Sequence, residues 1–310
     1  MKFSHQPVLV KEVLAYLQPQ ANENFVDCTV GGGGHAKEIL QKNGPNGCLL
    51  GIDLDEQAIL AAQTNLAEYQ KRVTLVKDNY KNLQQILHVS GFNKIDGILL
   101  DLGLSSFELE DPERGFSFQG SAVLDMRFGS NGQTASDVVN NYREDDLAKI
   151  FREYGEERHS GLIAKALVQE RKKTKIVTND QLVAIIEKVY QSWPKPKHIH
   201  VATKVFQALR IEVNQELANI KSVLPQVLSA LVPGGRLVVI SFHSLEDKIV
   251  KEFFKQESRD CLCPPVAPIC QCQHKKQVKI LTKKVVMASG EEISSNPRSR
   301  SAKLRAIIKI

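Results

Sequence analysis

The chain has 310 residues and a formal net charge of +6, and because this length exceeds the usual size of one domain, we expect two domains or one large domain with an insertion. Its hydrophobic content of 42% and charged content of 25% are typical of a globular protein, and no apolar run is long enough to span a bilayer. The composition therefore excludes a membrane protein, and because the first dozen residues show no signal peptide, we expect a cytoplasmic location.

An alternation of strands and helices is predicted for the first 102 residues. A short amphipathic helix over residues 7–17 comes first. Apolar runs separated by helical segments then predict strands at 25–30, 48–53, 73–78 and 96–102. Strands that alternate with helices form a parallel sheet through right-handed crossovers. The sequence therefore predicts an α/β fold with a mostly parallel, Rossmann-like sheet.

The pattern changes after Ser106. Residues 107–135 are polar and Gly-rich, and residues 137–216 are helical, with a Thr178-x-x-Gln181 capping box before one apolar stretch. This segment is predicted to be an inserted helical domain, residues 107–216, that recognises the substrate.

Strand-type sequence resumes after the insertion. Residues 236–242 predict a strand after a Pro-Gly-Gly turn, residues 244–257 a helix, and residues 279–286 and 302–310 the last strands. We therefore expect a discontinuous domain made of residues 1–106 and 217–310.

Four consecutive glycines, Gly31 to Gly34, follow the first predicted strand, and Asp53 ends the second. Glycines let the backbone turn sharply and approach a ligand closely, while a carboxylate about 20 residues further on can accept hydrogen bonds from ribose hydroxyls. The pattern predicts a ligand that contains a nucleoside. Because Gly31-x-Gly33-x-x-Ala36 also fits the loose dinucleotide fingerprint, a nicotinamide-dependent oxidoreductase is an alternative.

Polar residues at successive strand ends favour S-adenosylmethionine as the ligand. Asp27 can reach the amino-acid moiety of this cofactor, Tyr80 its adenine, and Asp101 lies where the fourth strand meets the reacting group. Ligands of such sheets bind across the carboxyl ends of the strands. A hydride-transfer enzyme would also need a proton donor such as a Tyr-Lys or His-Asp arrangement, and the sequence shows no convincing one.

Four of the six cysteines form two close pairs in a Pro-rich segment: Cys261, Cys263, Cys270 and Cys272. In a reducing compartment, clustered thiols indicate a metal more often than a disulfide, although C-x-C spacing is less diagnostic of zinc than C-x-x-C. Three interpretations stay open: a structural zinc or another thiolate-bound metal, unligated thiols, and a redox-labile pair.

Positive charge is concentrated towards the C-terminal end. Residues 273–310 carry ten Lys or Arg and two Glu, a net charge of +8, whereas residues 1–272 carry about −2. A basic segment on a nearly neutral body indicates a phosphate-rich partner, because each neutralised phosphate releases condensed counterions. A solvated surface is the other interpretation.

Eight motifs, in order along nearly the whole chain, resemble those of the bacterial ribosomal RNA small-subunit methyltransferase H family, also called MraW. They are His5-x-Pro7-Val8-Leu9, Asp27-Cys-Thr-Val-Gly-Gly-Gly-Gly-His35, Asp101-Leu-Gly-Leu-Ser-Ser106, Glu113-Arg-Gly-Phe-Ser-Phe118, Leu124-Asp-Met-Arg127, Phe206-Gln-Ala-Leu-Arg-Ile-Glu-Val-Asn214, Ser241-Phe-His-Ser-Leu-Glu-Asp247 and Asn296-Pro-Arg-Ser-Arg-Ser-Ala-Lys-Leu-Arg305. Several of these strings are long enough to be specific to that family.

The resemblance implies a class I S-adenosylmethionine-dependent methyltransferase that methylates N4 of a cytidine in the decoding region of small-subunit (16S) ribosomal RNA, with the small ribosomal subunit as the expected partner. It implies cofactor contacts from Gly33, Gly34, His35, Asp53, Tyr80 and Asp101. Glu108 is a further candidate, although this chain has Phe107-Glu108 where the family often has Pro or His followed by Gln. The cysteine quartet occurs in only part of the family, so the resemblance implies no catalytic role for it.

The implied reaction needs an acceptor for an amino hydrogen, because the cytosine nitrogen must pyramidalise before it attacks the methyl group. Asp101 and Ser105 are the candidates, and we expect the target base to be extruded from its neighbours. The residues predicted to contact RNA are Lys204, Arg210, His243, Arg298, Arg300, Lys303 and Arg305. A catalytically idle RNA-binding module is the remaining alternative, and the sequence indicates no oligomeric state.

Overall fold

The computed structural model describes residues 7–104, 114–118, 121–196, 199–264 and 269–310. The contacts divide the chain into two compact units, Met1–Gly103 with Leu217–Ile310, and Leu104–Glu216. Within the part of the chain that is described, no helix has both the length and the apolar character required to cross a membrane.

A seven-stranded sheet forms the centre of the first unit. Its strands are β1 (Phe25–Asp27), β2 (Leu49–Asp53), β3 (Val73–Lys77), β4 (Ile95–Asp101), β5 (Leu231–Ser241), β6 (Val278–Ile280) and β7 (Lys303–Lys309). Their order is β3-β2-β1-β4-β5-β7-β6, in which β1 to β5 are parallel and β7 is antiparallel to both of its neighbours. This mostly parallel sheet confirms the predicted Rossmann-like fold class.

The helices occupy three parts of the chain. Those before the second unit are α1 (Val10–Leu17), α2 (Gly34–Lys42), α3 (Glu56–Asn65) and α4 (Leu83–Ser90). The second unit contains α5 (Ala135–Asn141), α6 (Glu144–Glu153), α7 (Ser160–Arg171), α8 (Asn179–Tyr190) and α9 (Thr203–Asn214). The remainder are α10 (Glu216–Ala230), α11 (Ser244–Glu257) and α12 (Gly290–Ser295), with short 3-10 segments at Ala67–Tyr69, Tyr80–Asn82 and Pro297–Ser301.

The central strands are apolar at successive positions because both faces of the sheet are covered. In β4, Ile98 and Leu100 belong to one buried core, and Leu99, which points to the opposite face, belongs to another. Helices α4, α10 and α11 contribute to the first core, and α1, α2 and α3 to the second. The helical unit has a third core of its own, which includes Phe151 and Leu182.

Three strands differ from their predicted bounds, and one helix was not predicted. β6 covers Val278–Ile280 rather than residues 279–286, and Val286 instead forms an isolated bridge with Leu304. β1 ends at Asp27 rather than at residue 30, because the chain turns there into the glycine loop. β5 begins at Leu231, before the predicted Pro-Gly-Gly turn, and an irregularity in its pairing with β4 between Ile95 and Gly97 accommodates that turn. Helix α10 was not predicted, and it contains Pro225, although proline usually ends or kinks a helix.

The predicted capping box at Thr178 is confirmed. The Thr178 hydroxyl accepts a hydrogen bond from the Gln181 backbone N–H, and the Gln181 side chain accepts one from the Thr178 N–H. These contacts satisfy amide groups that α8 itself leaves without acceptors.

Thr178→Ala should lower the free energy of unfolding by about 1 kcal/mol, because the hydroxyl that caps α8 is lost. Urea denaturation monitored by circular dichroism measures this change. Thr174→Ala, which alters an exposed threonine just before the cap, is the matched control and should leave stability nearly unchanged. Equal stabilities of the two variants would contradict a capping role for Thr178.

Candidate active site

Three aspartates end neighbouring strands at the same edge of the sheet. Asp27 is the last residue of β1, Asp53 of β2 and Asp101 of β4. In the parallel register Asp27 lies beside Gly51 and Leu99, so the other two carboxylates are two residues further along their strands. The order β2-β1-β4 therefore brings all three acids to the carboxyl edge, where ligands of such sheets bind.

The glycine loop is attached to this edge by the Asp53 carboxylate. The Gly31 N–H donates to Asp53 Oδ2 at 2.9 Å, and the Asp55 N–H donates to Asp53 Oδ1 at 2.9 Å. Gly31 and Gly33 have φ values of 51° and 84°, a conformation in which a side chain would be strained. Glycine therefore suits this path at both positions, and at Gly33 an added Cβ would also lie 3.1 Å from the Leu66 side chain.

The start of α2 is closely packed. A Cβ added to Gly34, the first residue of this helix, would lie 3.0 Å from the Pro7 ring. Gly33, the N-cap, has no side chain with which to cap the helix. The first turn of α2 therefore lies next to the acidic strand ends. The backbone N–H groups at the N-terminus of a helix favour an anionic group of a ligand.

Asp27 and His35 are buried beside Asp101. His35 Nε2 lies 3.6 Å from Asp101 Oδ2, and neither ring nitrogen of His35 makes a hydrogen bond to a described residue. Asp27 Oδ1 accepts from the Thr29 N–H at 3.1 Å, whereas Asp27 Oδ2 and Asp101 Oδ1 have no such partner in the described part of the chain. Two carboxylate oxygens are thus left with unused acceptor capacity.

Burial perturbs the protonation of these groups. Removal from water raises the pKa of Asp27 to about 7 and that of Asp53 to about 6. Burial by itself lowers the pKa of His35, but its contacts with Asp101, followed by the charges of Asp27 and Glu292, outweigh that effect and raise it. Proton-exchanging groups with shifted pKa values are characteristic of functional sites.

The backbone holds Asp101 in place. Its N–H donates to Thr29 Oγ1 at 2.7 Å, and the neighbouring Leu102 N–H donates to the Ile240 carbonyl of β5. Tyr80, predicted to contact adenine, lies in the 3-10 segment just after β3, and its partly buried ring packs against the first core. Tyr80 is thus held near the carboxyl end of β3.

The antiparallel direction of β7 brings basic residues to this same edge. Lys303, the first residue of β7, pairs with Ser241, the last residue of β5. Arg298 and Arg300 lie in the 3-10 segment immediately before β7, and their side chains are exposed. The predicted RNA contacts Arg298, Arg300 and Lys303 therefore lie at the edge that holds the three aspartates.

Arg305 and His243 have structural contacts. The Arg305 guanidinium donates to both carboxylate oxygens of Asp247, at 2.6 and 3.0 Å, so its charge is largely neutralised. His243 is the N-cap of α11 and forms a capping box with Glu246, whose carboxylate accepts from the His243 N–H.

Two predicted RNA contacts lie in the helical unit. Lys204 Nζ donates to the Glu156 carbonyl at 2.8 Å, and Arg210 makes a two-point ion pair with Glu216 at 2.8 and 2.9 Å. The predicted residues Ser105 and Glu108 lie outside the described residues.

One exposed aromatic residue was not selected from the sequence. Trp193 is 47% exposed, and its ring lies 4.8 Å from that of His159 in the helical unit. The sequence does contain an indication of its exposure, because this single tryptophan of the chain precedes a Pro-Lys-Pro-Lys stretch.

The four predicted metal ligands come together. The sulfur atoms of Cys261, Cys263, Cys270 and Cys272 all lie within 4.8 Å of one another. They occur between α11 and β6, at the edge of the sheet opposite the aspartates, because α11 runs away from the carboxyl edge and β6 starts at the amino edge.

Comparison with known proteins identifies the family. The model of the MraW methylase family matches residues 2–310. The chain belongs to this family. Relatives named ribosomal RNA small subunit methyltransferase H include that of Syntrophotalea carbinolica, 49% identical over 98% of both chains, and that of Geotalea daltonii, 48% identical over 99% of both. That of Thermomicrobium roseum is 46% identical over 99% of this chain and 94% of the relative.

Membership of the MraW family decides between the alternatives left by the sequence. The chain is a methyltransferase, and its predicted dependence on S-adenosylmethionine is confirmed. The interpretation as a nicotinamide-dependent oxidoreductase was wrong, and so was that as an idle binding module.

Asp27→Asn should become more stable, relative to the unchanged chain, as pH rises from about 4 to about 7. Burial holds the pKa of Asp27 at about 7 in the folded chain, whereas in the unfolded chain it is near its ordinary value of about 4. Between these values only the folded state keeps the proton, so this contribution to stability is lost as pH rises, and asparagine abolishes the loss.

Urea denaturation of both chains at several pH values measures this difference. Glu153→Gln, which changes an exposed carboxyl group, is the control and should show no such trend. A stability difference between Asp27→Asn and the unchanged chain that is the same at every pH would contradict the proposed protonation of Asp27.

Proposed function

We propose that this protein transfers the methyl group of S-adenosylmethionine to N4 of a cytidine in the decoding region of small-subunit ribosomal RNA. The observation that carries the proposal is the pair of buried carboxylate oxygens, on Asp27 and Asp101, that have no described partner beside the glycine loop. A cationic cofactor and an amino group are ligands that such acceptors would bind.

The residues at the carboxyl edge fit the parts of the cofactor. Asp27 Oδ2 is available for its ammonium group, and the first turn of α2 after Gly33 for its carboxylate. Each Asp53 oxygen already accepts one backbone N–H and has capacity for a ribose hydroxyl. Tyr80 follows the next strand and would contact the adenine. Gly33, Gly34 and His35 complete the proposed binding residues.

Asp101 is proposed to orient the nucleophile. The bound cofactor supplies an electrophilic methyl group, so the protein mainly has to hold the amino nitrogen in line with the bond from that methyl to sulfur. Asp101 Oδ1 would accept one amino hydrogen, which favours pyramidal nitrogen, and would take its proton as the carbon–nitrogen bond forms. Ser105 is the second candidate for this role.

His35 is a positioning residue for Asp101 in this scheme. Its Nε2 lies 3.6 Å from Asp101 Oδ2, whereas Asp101 Oδ1 is buried and has no partner among the described residues. A protonated His35 would hold the carboxylate in the orientation that presents Oδ1 to the substrate, and its raised pKa favours that protonated form.

Ribosomal RNA is the substrate that the relatives' name specifies. The exposed Arg298 and Arg300, with Lys303 beside them, would bind phosphates at the edge of the cofactor site. We propose that the target is presented within the small ribosomal subunit in the cytoplasm. Arg305 and His243 would support this surface through their contacts with Asp247 and Glu246 rather than bind RNA directly.

The helical unit is proposed to recognise the substrate. Trp193 presents nearly half of its surface to solvent next to His159, and exposed rings of this kind stack on unpaired bases. Lys204 would add positive charge on the same unit, whereas Arg210 is held in its ion pair with Glu216.

Asp101→Asn should lower kcat roughly 100-fold or more while cofactor affinity changes little, because the amide keeps the shape of the side chain but is a poorer proton acceptor. Transfer of labelled methyl groups to small-subunit particles measures kcat, and calorimetry measures cofactor binding. Mass spectrometry of the product nucleosides identifies the methylated atom.

Asp96→Asn is the matched control, since Asp96 is on the same strand but near its other end, where it accepts from the Asn24 N–H. Its kcat should stay near that of the unchanged chain. A parallel loss of cofactor affinity and turnover in Asp101→Asn would assign Asp101 to the cofactor, and methylation of an atom other than N4 would contradict the proposed reaction.

Arg300→Ala should weaken RNA binding and lower the slope of log affinity against log salt by about 0.7, the value expected for one phosphate contact with a single strand. Truncation from Asn296 would be less informative, because β7 lies between β5 and β6 in the sheet. Lys42→Ala is the control, since this exposed lysine ends α2 at the opposite edge of the sheet. An unchanged slope in Arg300→Ala would exclude a phosphate contact there.

A further inference from the structure

The described residues of the segment between α11 and β6 form no apolar core of their own. The segment covers residues 258–276, and none of those that the structure describes is buried. Its apolar side chains Leu262 and Ile269 are 38% and 74% exposed. Its described residues belong to no helix or strand, and connections of this length without such elements are uncommon in a compact domain. Some interaction other than hydrophobic burial must therefore order it.

Hydrogen bonds close the base of the segment. The Gln277 N–H donates to the Glu257 carbonyl at 2.9 Å, and the Gln277 side chain donates to the Glu257 carboxylate at 2.8 Å. His274 Nε2 lies 3.8 Å from the same carboxylate. These contacts hold the two ends of the segment together.

Three of the four sulfur atoms form a nearly equilateral triangle. The Cys261–Cys270 distance is 3.4 Å, the Cys261–Cys272 distance 3.7 Å and the Cys270–Cys272 distance 3.6 Å. Cys263 completes the group, within 4.8 Å of the others. Four sulfurs placed tetrahedrally around zinc at ~2.3 Å are about 3.8 Å apart. The observed spacing is therefore close to that of a zinc tetrathiolate.

Backbone amides point at the sulfur atoms. The Leu262 N–H donates to Cys272 Sγ at 3.3 Å, the Cys263 N–H to Cys261 Sγ at 3.4 Å, and the Gln271 N–H to Cys263 Sγ at 3.3 Å. Such donors stabilise negative charge on sulfur, and metal-bound thiols are deprotonated. All four thiols are free, and the three sulfur–sulfur distances of 3.4 to 3.7 Å exceed the ~2.05 Å of a disulfide bond.

The geometry points to a structural zinc ion held by Cys261, Cys263, Cys270 and Cys272, which cross-links this segment at the amino edge of the sheet. Four protein thiolates fill a tetrahedral shell and leave no open position for a substrate. Zinc has no redox chemistry of its own, so the ion would act on folding alone. The cysteines lie at the amino edge of the sheet, opposite the aspartates, so the structural role of the ion is separate from methyl transfer.

Elemental analysis of the full-length protein, purified without chelators, is expected to give one zinc per chain. The double variant Cys270→Ser with Cys272→Ser should lose it. Cys48→Ser should keep it, because Cys48 lies in the sheet region and its thiol donates to the Asn46 carbonyl. Iron in place of zinc, no stoichiometric metal, or equal zinc in the double variant would overturn the assignment.

Limited trypsin digestion of the unchanged chain tests the structural role without relying on a variant. Arg259, Lys275 and Lys276 are exposed cleavage sites within the segment. Removal of zinc with a chelator should accelerate cleavage at these sites, re-addition of zinc should reverse the effect, and cofactor affinity measured by calorimetry should stay unchanged. Cleavage that is independent of zinc would overturn the proposed cross-link.

Discussion

The hydrogen bond from the Gly31 N–H to the Asp53 carboxylate is the contact on which the candidate site depends. It connects the loop after β1 to the end of β2, so the glycine loop is held against the sheet rather than extended into solvent. The path needs positive φ at Gly31 and Gly33, and it positions the first turn of α2 beside Asp27. One carboxylate thereby shapes the loop and keeps capacity to bind a ribose.

The site combines an acidic interior with a basic surface. Asp27, Asp53 and Asp101 face the position proposed for a cationic cofactor, whereas the residues before β7 would attract phosphates. Because β7 alone is antiparallel, its first residues reach the edge where the other strands end. Reversal of this one strand brings both kinds of charge to the same edge.

Buried carboxylates reduce stability, and the surrounding structure has to offset that cost. Asp27 is 1% exposed and has one oxygen without a described partner. The apolar strands on either side of it are almost fully buried in two cores, which supply the compensating free energy.

Local patterns predicted the fold well where one element depends on its own residues. The alternation of apolar runs predicted the first four strands to within a few residues, and Thr178-x-x-Gln181 predicted the start of α8. Such patterns failed where distant residues decide the outcome. Helix α10 continues through the exposed Pro225 while its neighbours Leu224 and Val227 are buried in the first core, and β5 pairs with Ile95 already at Leu231.

The sequence by itself determined the fold class, the glycine loop and the family, because these follow from residue order and spacing. Tertiary structure alone decided which charges are available. Arg305 is neutralised by Asp247, 58 positions away, and His35 is buried against Asp101, 66 positions away. The convergence of the cysteines likewise required the path of the chain between α11 and β6. Contacts between residues far apart in sequence depend on how strands are ordered, and local patterns do not encode that order.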